Sequence, residues 1–191
     1  MDLIFASNNL NKYEEVKLIL KNHNIISLSC LKDFDIVEET GTSFKENAYL
    51  KAKHFYDKYK RAVFADDSGI VVKSLGGAPG IMSARYSGDD ATYQSNNLKL
   101  INDLKQIEDK TAYFITVICF IDFFGNDYYF EGRIYGQITD EIRGTNGFGY
   151  DPIFYLPEYK KTFAELGNIK HDFSHRAKAL FNFNKFLNKE V

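Results

Sequence analysis

Two adjacent aspartates, Asp66 and Asp67, follow a short apolar run at residues 62–65 and precede Ser68. Neighbouring carboxylates repel each other unless a cation or a proton compensates them. Hard oxygen ligands of this kind suit Mg²⁺, which keeps several waters and bridges phosphate groups. An acidic turn is the alternative interpretation, but the preceding run is more apolar than an ordinary surface turn. The pair is therefore predicted to lie at a strand end or bulge and to hold a metal ion.

A second polar group consists of Ser7, Asn9 and Lys12, between an apolar run at residues 3–6 and a helical pattern. The first backbone N–H groups of a helix have no partner within the helix, and the helix dipole favours an anion there. A hydroxyl, an amide and an ammonium add side-chain donors for phosphate oxygens. The motif is also compatible with a capped helix that carries a solvated lysine.

Phe148 lies between Gly147 and Gly149, and Asp151 follows shortly after. An aromatic residue between two glycines has a freely set backbone, so its ring can serve as a stacking platform for a base. Asp151 is predicted to be a fixed acceptor beside that ring. A flexible loop with an incidental core phenylalanine is the alternative.

Lys170 and the run Ser174, His175 and Arg176 lie near the start of the last predicted helix. These donors suit an anionic or carbonyl-rich ligand, although a charged helix start is the other interpretation. His171 and His175 are four residues apart, but no third ligand stands nearby in the sequence, so a metal pair is not predicted there.

The apolar pattern predicts a mixed α/β sheet as the scaffold, because strands and helices alternate early and hairpin-like strands follow later. Strands are predicted at residues 3–6, 62–65 and 113–124, followed by a turn at residues 125–126 and by one or two further strands over residues 127–139. Helices are predicted at residues 13–20, 47–60 and 89–106, the last with an acidic first turn, and from residue 174 onward.

The composition is that of a globular protein and excludes several classes. Of the 191 residues, 45% are hydrophobic, and 24 Lys plus Arg stand against 26 Asp plus Glu, so no global basic field attracts a nucleic acid. No apolar run is long enough for a membrane span. Cys30 and Cys119 have apolar flanks and are predicted to be reduced and buried, which favours a cytoplasmic protein. The common phosphate-loop, dinucleotide and nucleophile motifs do not occur, so catalysis is predicted to use a metal and water.

The order of these motifs and their residues resemble those of the inosine triphosphate pyrophosphatase family (Ham1/RdgB type). The matching stretches cover nearly the whole chain and are FASNNLNKYEEV, EETGTSFKENAYLKAK, FADDSGIVVKSLGGAPGIMSARYSG, GTNGFGYDPIF and SHRAKAL. The resemblance implies Mg²⁺-dependent hydrolysis of non-standard purine triphosphates such as ITP, dITP and XTP to the monophosphate and pyrophosphate, by a homodimer. It also implies one α/β domain over residues 1–191, with a long, mixed, curved β-sheet flanked by helices and a cleft between two lobes.

The resemblance further implies the roles of individual residues. Glu39 and Asp67 are expected to hold Mg²⁺, with Glu38 as the alternative to Glu39, and Asp67 or Asp66 is expected to deprotonate the attacking water. Residues expected to bind the triphosphate or to flank it are Ser7, Asn8, Asn9, Leu10, Asn11, Lys12, Lys51, Ser68 and Arg85. Residues expected around the base are Phe148, Gly149, Tyr150, Asp151, Lys170, His175 and Arg176.

Two other functions stay open on the sequence alone. A Maf-like nucleotide pyrophosphatase has a related architecture but acts on other nucleotides, and the GFGYDP and SHR segments speak against it. A nucleotide-sensing module without catalysis would be expected to lack the acidic pair.

Overall fold

The computed structural model describes residues 1–189, which form one mixed β-sheet flanked by helices. The strands are β1 (Asp2–Phe5), β2 (Asn24–Ser27), β3 (Val63–Val72), β4 (Thr111–Ile121), β5 (Asp127–Ile138), β6 (Phe154–Leu156) and β7 (Lys161–Thr162). The α-helices are α1 (Leu10–Ile19), α2 (Phe44–Tyr59), α3 (Tyr93–Asp103), α4 (Phe163–Leu166) and α5 (His175–Leu187). Short 3₁₀ segments occur at Lys73–Leu75, Gly80–Arg85 and Gly167–Asp172.

The sheet has seven strands in the order β2-β1-β3-β4-β5-β6-β7. Strand β1 pairs in parallel with both β2 and β3, whereas β6 pairs antiparallel with β5 and β7. Parallel neighbours need a crossover connection, and α1 and α2 lie in those connections. The predicted mixed α/β sheet is therefore confirmed.

The chain divides into two compact units. The first consists of Met1–Asp67, Thr116–Gly132 and the described residues from His175 onward, and the second of Ser68–Ile115 and Arg133–Ser174. The second unit has its own apolar core, in which Phe114 packs against Phe154 and Phe163.

Strand alternation gives the first unit two apolar layers. Successive side chains of a strand point to opposite faces of a sheet. Leu3 and Phe5 accordingly belong to the layer that also contains residues of α1 and α5, such as Phe183. Ile4 belongs to the other layer, which contains Ala52 of α2. The first unit thus has helices on both faces of its part of the sheet.

Several predicted boundaries are wrong, and local hydrogen bonds explain two of them. Helix α2 begins at Phe44 rather than at residue 47, because the Ser43 side chain accepts a hydrogen bond from the Glu46 N–H and caps it. Helix α3 begins at Tyr93, after a capping box formed by Thr92 and Ser95, so residues 89–90 precede the helix and its first turn carries no acid. It also ends at Asp103, short of the predicted residue 106.

The largest correction concerns the strand that carries the acidic pair. The predicted strand of residues 62–65 is the ten-residue strand β3, and Asp66 and Asp67 lie in its middle, not at its end. The neighbouring strand β1 does end here, because its last residue Phe5 pairs with Phe64. The aspartates therefore lie just beyond the carboxyl end of β1, where α/β sheets commonly bind ligands.

The two cysteines, both predicted to be buried, differ in their exposure. Cys119 is buried, as predicted, but Cys30 is exposed, because it follows β2 in a surface turn. Within residues 1–189, no helix combines the length and the apolar character that crossing a bilayer requires.

Candidate active site

The two aspartates of β3 face opposite sides of the sheet because they are adjacent on a strand. Phe64, two residues before Asp66, belongs to the layer of α1 and α5. Ala65, two residues before Asp67, belongs to the layer of α2. Strand periodicity thus predicts different partners for the two carboxylates, and the hydrogen bonds agree with it.

Asp66 lies in a buried ion-pair network with residues of α1 and α5. Lys12 Nζ is 3.0 Å from Asp66 Oδ2, and Arg176 Nη2 is 3.2 Å from the same oxygen. Arg176 also donates to Glu15, a buried residue that the sequence analysis did not identify. Burial lowers the pKa of the Lys12 ammonium below its ordinary value. Burial acts in the same direction on Arg176, but the charges of Asp66 and Glu15 outweigh it, so the net pKa of Arg176 is raised.

Asp67 lies with residues of α2 and of the loop before it. Lys51 Nζ is 3.5 Å from Asp67 Oδ1 and 2.6 Å from Glu39 Oε1. Burial raises the pKa of the Asp67 carboxyl, and the nearby charge of Glu39 adds to the rise although Lys51 opposes it. Asp67 is therefore a carboxylate that gains stability from any additional cation.

The pair of Glu39 and Asp67 fits a magnesium ion. Both carboxylates reach the same ammonium, so they are close enough together to share a cation. Glu38, the alternative to Glu39, is exposed. Across residues 1–189 no three His, Cys, Asp or Glu side chains are grouped as a complete protein-made metal site. Mg²⁺ usually takes only one or two carboxylates and completes its shell with water and substrate phosphates, so two suffice.

Asn47 connects Asp67 to the loop that carries Glu39. Its Nδ2 donates to Asp67 Oδ2 at 3.3 Å, and its Oδ1 accepts from the Gly41 N–H at 2.9 Å. Asn47 is buried, and a Cβ at position 41 would lie 2.6 Å from Asn47 Oδ1, so a glycine is needed there. Asn47 was not predicted from the sequence, although it precedes Lys51 by one helical turn and therefore shares its face of α2.

The segment from Ser7 to Lys12 forms a capped helix start. Ser7 Oγ accepts from the Asn9 N–H at 3.2 Å, and Asn9 Oδ1 accepts from the Lys12 N–H at 3.2 Å. Asn8, Leu10 and Asn11 are exposed. The helix cap predicted as an alternative is therefore present, but the Lys12 ammonium lies against the Asp66 carboxylate rather than in solvent.

In the second unit, Asp151 holds both Phe148 and Lys170. Its Oδ2 accepts from the Phe148 N–H at 2.9 Å and from Lys170 Nζ at 2.5 Å. The same ammonium lies 5.1 Å from the centroid of the Phe148 ring. Gly147 has a φ of +81°, and a Cβ there would lie 2.0 Å from Asp151 Oδ2, so the loop can approach the carboxylate only with glycine at this position.

Gly149 and Tyr150, which follow Phe148, make hydrogen bonds that hold the loop in place. The buried Tyr150 hydroxyl donates to the Ser83 carbonyl at 2.8 Å, and burial raises the pKa of Tyr150 well above its ordinary value. The carbonyl of Gly149 accepts from Asn97 Nδ2 at 3.1 Å. Asn97, a buried residue of α3, is a second contact that the sequence analysis missed.

The remaining predicted residues are distributed between the units. Ser68 continues β3 and is the first residue of the second unit, in which Arg85 is exposed. His175 is buried in the first unit beside Arg176. Lys170 was predicted to act together with His175 and Arg176. Instead, Lys170 pairs with Asp151, and Arg176 pairs with Asp66 and Glu15.

Several known proteins are similar to this chain over almost its whole length. A dITP/XTP pyrophosphatase of Staphylococcus epidermidis is 42% identical over 191 residues, which cover 99% of this chain and 97% of that protein. The solved structure of the Staphylococcus aureus Ham1 protein has a TM-score of 0.91 and 40% identity, with both chains covered completely. A HAM1 protein from Coxiella burnetii has a TM-score of 0.91 and 35% identity over 99% of both chains. The Ham1 family model matches residues 3–186, and the chain belongs to the Ham1 family.

Proposed function

We propose that this protein is a Mg²⁺-dependent nucleoside triphosphate pyrophosphatase that removes non-standard purine nucleotides such as dITP, XTP and ITP from the nucleotide pool. The products are the nucleoside monophosphate and pyrophosphate. One observation carries the proposal: two lysines, Lys12 and Lys51, are held by the adjacent aspartates of β3 beside a third carboxylate. Its relatives named dITP/XTP pyrophosphatases supply the substrate class. We further propose that it acts in the cytoplasm as a homodimer.

The first unit is proposed to bind the triphosphate. Lys12 and Lys51 are partly buried cations, and phosphate oxygens can take the place of part of their carboxylate contacts. The start of α1 adds backbone N–H groups whose dipole favours an anion. Side chains from Ser7 to Asn11 border this helix start and are proposed to contact the outer phosphates.

Glu39 and Asp67 are proposed to hold the Mg²⁺ ion. When bound, the ion supplies charge stabilisation for the phosphate oxygens and the departing pyrophosphate. Lys51 already neutralises part of the charge of both carboxylates, which keeps them close together. Asn47 fixes the direction of the Asp67 carboxylate, because it is bonded at its other end to the Gly41 backbone.

Asp67 is the better of the two aspartates as general base. Asp66 is bound by Lys12 and Arg176, so its lone pairs are directed to fixed cations. Asp67 is 3.5 Å from Lys51 Nζ, a longer distance than either ion pair of Asp66, so its carboxylate is less committed to a fixed cation and is the better proton acceptor. In the proposed step the water oxygen forms a bond to the α-phosphorus and the bond to the pyrophosphate oxygen breaks. The water proton passes to Asp67.

The second unit is proposed to bind the base. Phe148 provides the stacking surface, and the Lys170 ammonium provides a donor beside it. Hypoxanthine and xanthine carry an acceptor at position 6, which a donor satisfies. Adenine carries an amino group there, so donor faces donor, and the mismatch costs on the order of several kcal/mol in a dry pocket. Roles for Ser68, Arg85 and His175 at the substrate stay predictions.

Pyrophosphate release from a substrate panel tests the proposed function. With Mg²⁺ present, we expect dITP, ITP and XTP to be hydrolysed at least about 100-fold more efficiently than ATP, as kcat/KM. The panel includes dTTP, UTP and m⁷GTP. Preference for one of those three would favour the Maf-like alternative, and nucleotide binding without any release would favour a sensing module.

The Asn47→Leu variant tests the metal arrangement without turnover. Loss of both hydrogen bonds releases Asp67 and the Glu39 loop from their fixed directions. Partners of metal ligands commonly contribute about 10- to 100-fold to metal affinity. We therefore expect Mg²⁺ affinity, measured by calorimetric titration of the free protein, to fall by about that factor. The control is Asn97→Leu, which removes a buried asparagine of the second unit and should leave Mg²⁺ affinity unchanged. Equal affinities in the two variants would contradict the role of Asn47.

A further inference from the structure

An exposed tyrosine lies next to the proposed base-stacking residue. Tyr93 is the first residue of α3, and 48% of it is exposed to solvent. Its ring centroid is 6.2 Å from that of Phe148, with the two ring planes inclined at 45°. We propose that Tyr93 is a second aromatic wall of the base site, so that the purine is bound between the rings of Tyr93 and Phe148. This inference rests on the proposed function.

The separation of the two rings is close to what an inserted base needs. Carbon atoms in contact lie about 3.5 Å apart, so a flat base between two parallel rings requires them to be about 7 Å apart. The centroids are now 6.2 Å apart and the ring planes are inclined at 45°, so the Tyr93 ring must turn and move outward to admit a base. Tyr93 is at a helix end and half-exposed, so its ring can rotate towards parallel without disturbing a core.

Lys170 restricts where the base can stack. Its ammonium lies over the Phe148 ring, 5.1 Å from the centroid, and Asp151 holds it in place. A purine that stacks on Phe148 therefore uses the part of the Phe148 ring that the Lys170 ammonium does not cover. Tyr93 borders Phe148 as an exposed aromatic neighbour, which is the kind of group that stacks with any purine.

Helix α3 is fixed to the loop that carries Phe148. One turn after Tyr93, Asn97 donates to the Gly149 carbonyl at 3.1 Å. Asn96 accepts from the Ser87 N–H and donates to the Ala84 carbonyl, which anchors the helix start. The two rings are thus attached to segments that are bonded to each other, so the backbone positions of Tyr93 and Phe148 are held together while the Tyr93 side chain can still rotate.

A tryptophan at position 93 provides a direct binding signal, because the chain contains no tryptophan. In the Tyr93→Trp variant, we expect ITP to quench the emission of this single tryptophan by stacking, and tripolyphosphate, which has no base, to leave it unchanged. The titration is done with EDTA so that no turnover occurs. The control is Tyr135→Trp, another exposed tyrosine, whose ring contacts Tyr113. Quenching in the control equal to that at position 93 would overturn the proposal.

Kinetics provide the second test. Loss of one stacking ring in Tyr93→Ala should raise KM for dITP about tenfold and leave kcat within about twofold. The Tyr93→Phe variant keeps the ring and should keep the wild-type KM, which separates stacking from a role of the hydroxyl. Unchanged KM in Tyr93→Ala, together with active wild-type enzyme, would overturn this inference and leave the proposed function intact. A wild-type protein that releases no pyrophosphate would contradict the proposed function instead, and the quenching titration would still report base binding.

Discussion

The Asp67→Asn variant is expected to release pyrophosphate from dITP at least about 10³-fold more slowly than the wild-type protein, because it loses a proton acceptor and a metal ligand together. The fold should not weaken. Burial raises the pKa of Asp67, so the ionised form present at pH 7 destabilises the folded state relative to a neutral side chain. Removing the charge should therefore leave the melting temperature unchanged or raise it.

The neighbouring aspartate supplies the matched control. Asp66→Asn removes a carboxylate that is bound by two cations, Lys12 and Arg176, so we expect a lower melting temperature. The two variants differ by one position on one strand, yet their stability changes should have opposite signs or clearly different sizes. Near-normal pyrophosphate release by Asp67→Asn would refute its assignment.

The difference in stability between Asp67→Asn and the wild type should depend on pH. The folded-state pKa of Asp67 is raised above its unfolded value, so its ionisation reduces stability as the pH rises through that range. The stability advantage of Asp67→Asn over the wild type should accordingly grow from acid towards neutral pH. Thermal unfolding at a series of pH values measures it.

The second large effect is expected for Arg176→Met. This change leaves Glu15 without its guanidinium partner and Asp66 with less compensation, and all three side chains are buried. Removing one partner of a buried ion pair commonly destabilises a protein by about 3–5 kcal/mol. Chemical denaturation should reveal a loss of that size. The control Arg85→Met, at an exposed arginine, should change stability by no more than about 0.5 kcal/mol.

A double variant separates two interpretations of Arg176. In Glu15→Gln/Arg176→Met the carboxylate that has lost its guanidinium partner is replaced by a neutral amide, so part of the lost stability should return. If Arg176 acted only by contacting the base, as its resemblance-based role implies, Arg176→Met would raise KM and leave stability unchanged. Full stability of Arg176→Met would therefore contradict the network role that we assign to it.

Much of the candidate site could be predicted from short stretches of sequence. Ser7, Asn9 and Lys12 are contiguous on the first strand-to-helix turn, and the Phe148 loop carries its own acceptor in Asp151. These groups are recognisable because their contacts depend on local backbone geometry: a helix start, and a glycine-bounded turn. The family, the mixed sheet and most helices could likewise be identified, because motifs and apolar periodicity are local features of the sequence.

Other features could not be predicted because they depend on contacts between distant segments. Asp66 and Arg176 are 110 positions apart, and Glu15 and Arg176 are 161 apart. Glu15 follows another glutamate in an otherwise ordinary surface helix, and nothing nearby indicates that it is buried. Asn47 is likewise a polar residue of the kind common on helix surfaces. It gains its two partners only because β3 and the loop that carries Glu39 approach α2.

The sequence by itself determined the identity of the chemical groups: twin aspartates after an apolar run, the lysines Lys12 and Lys51, and a phenylalanine between two glycines. Only the tertiary structure decided that the twin aspartates have different partners. The physical reason is the two-residue period of a strand, which turns Asp66 towards α1 and α5 and Asp67 towards α2. One of them is thereby committed to a buried ion-pair network, and the other is left beside Glu39, where an added cation is favourable.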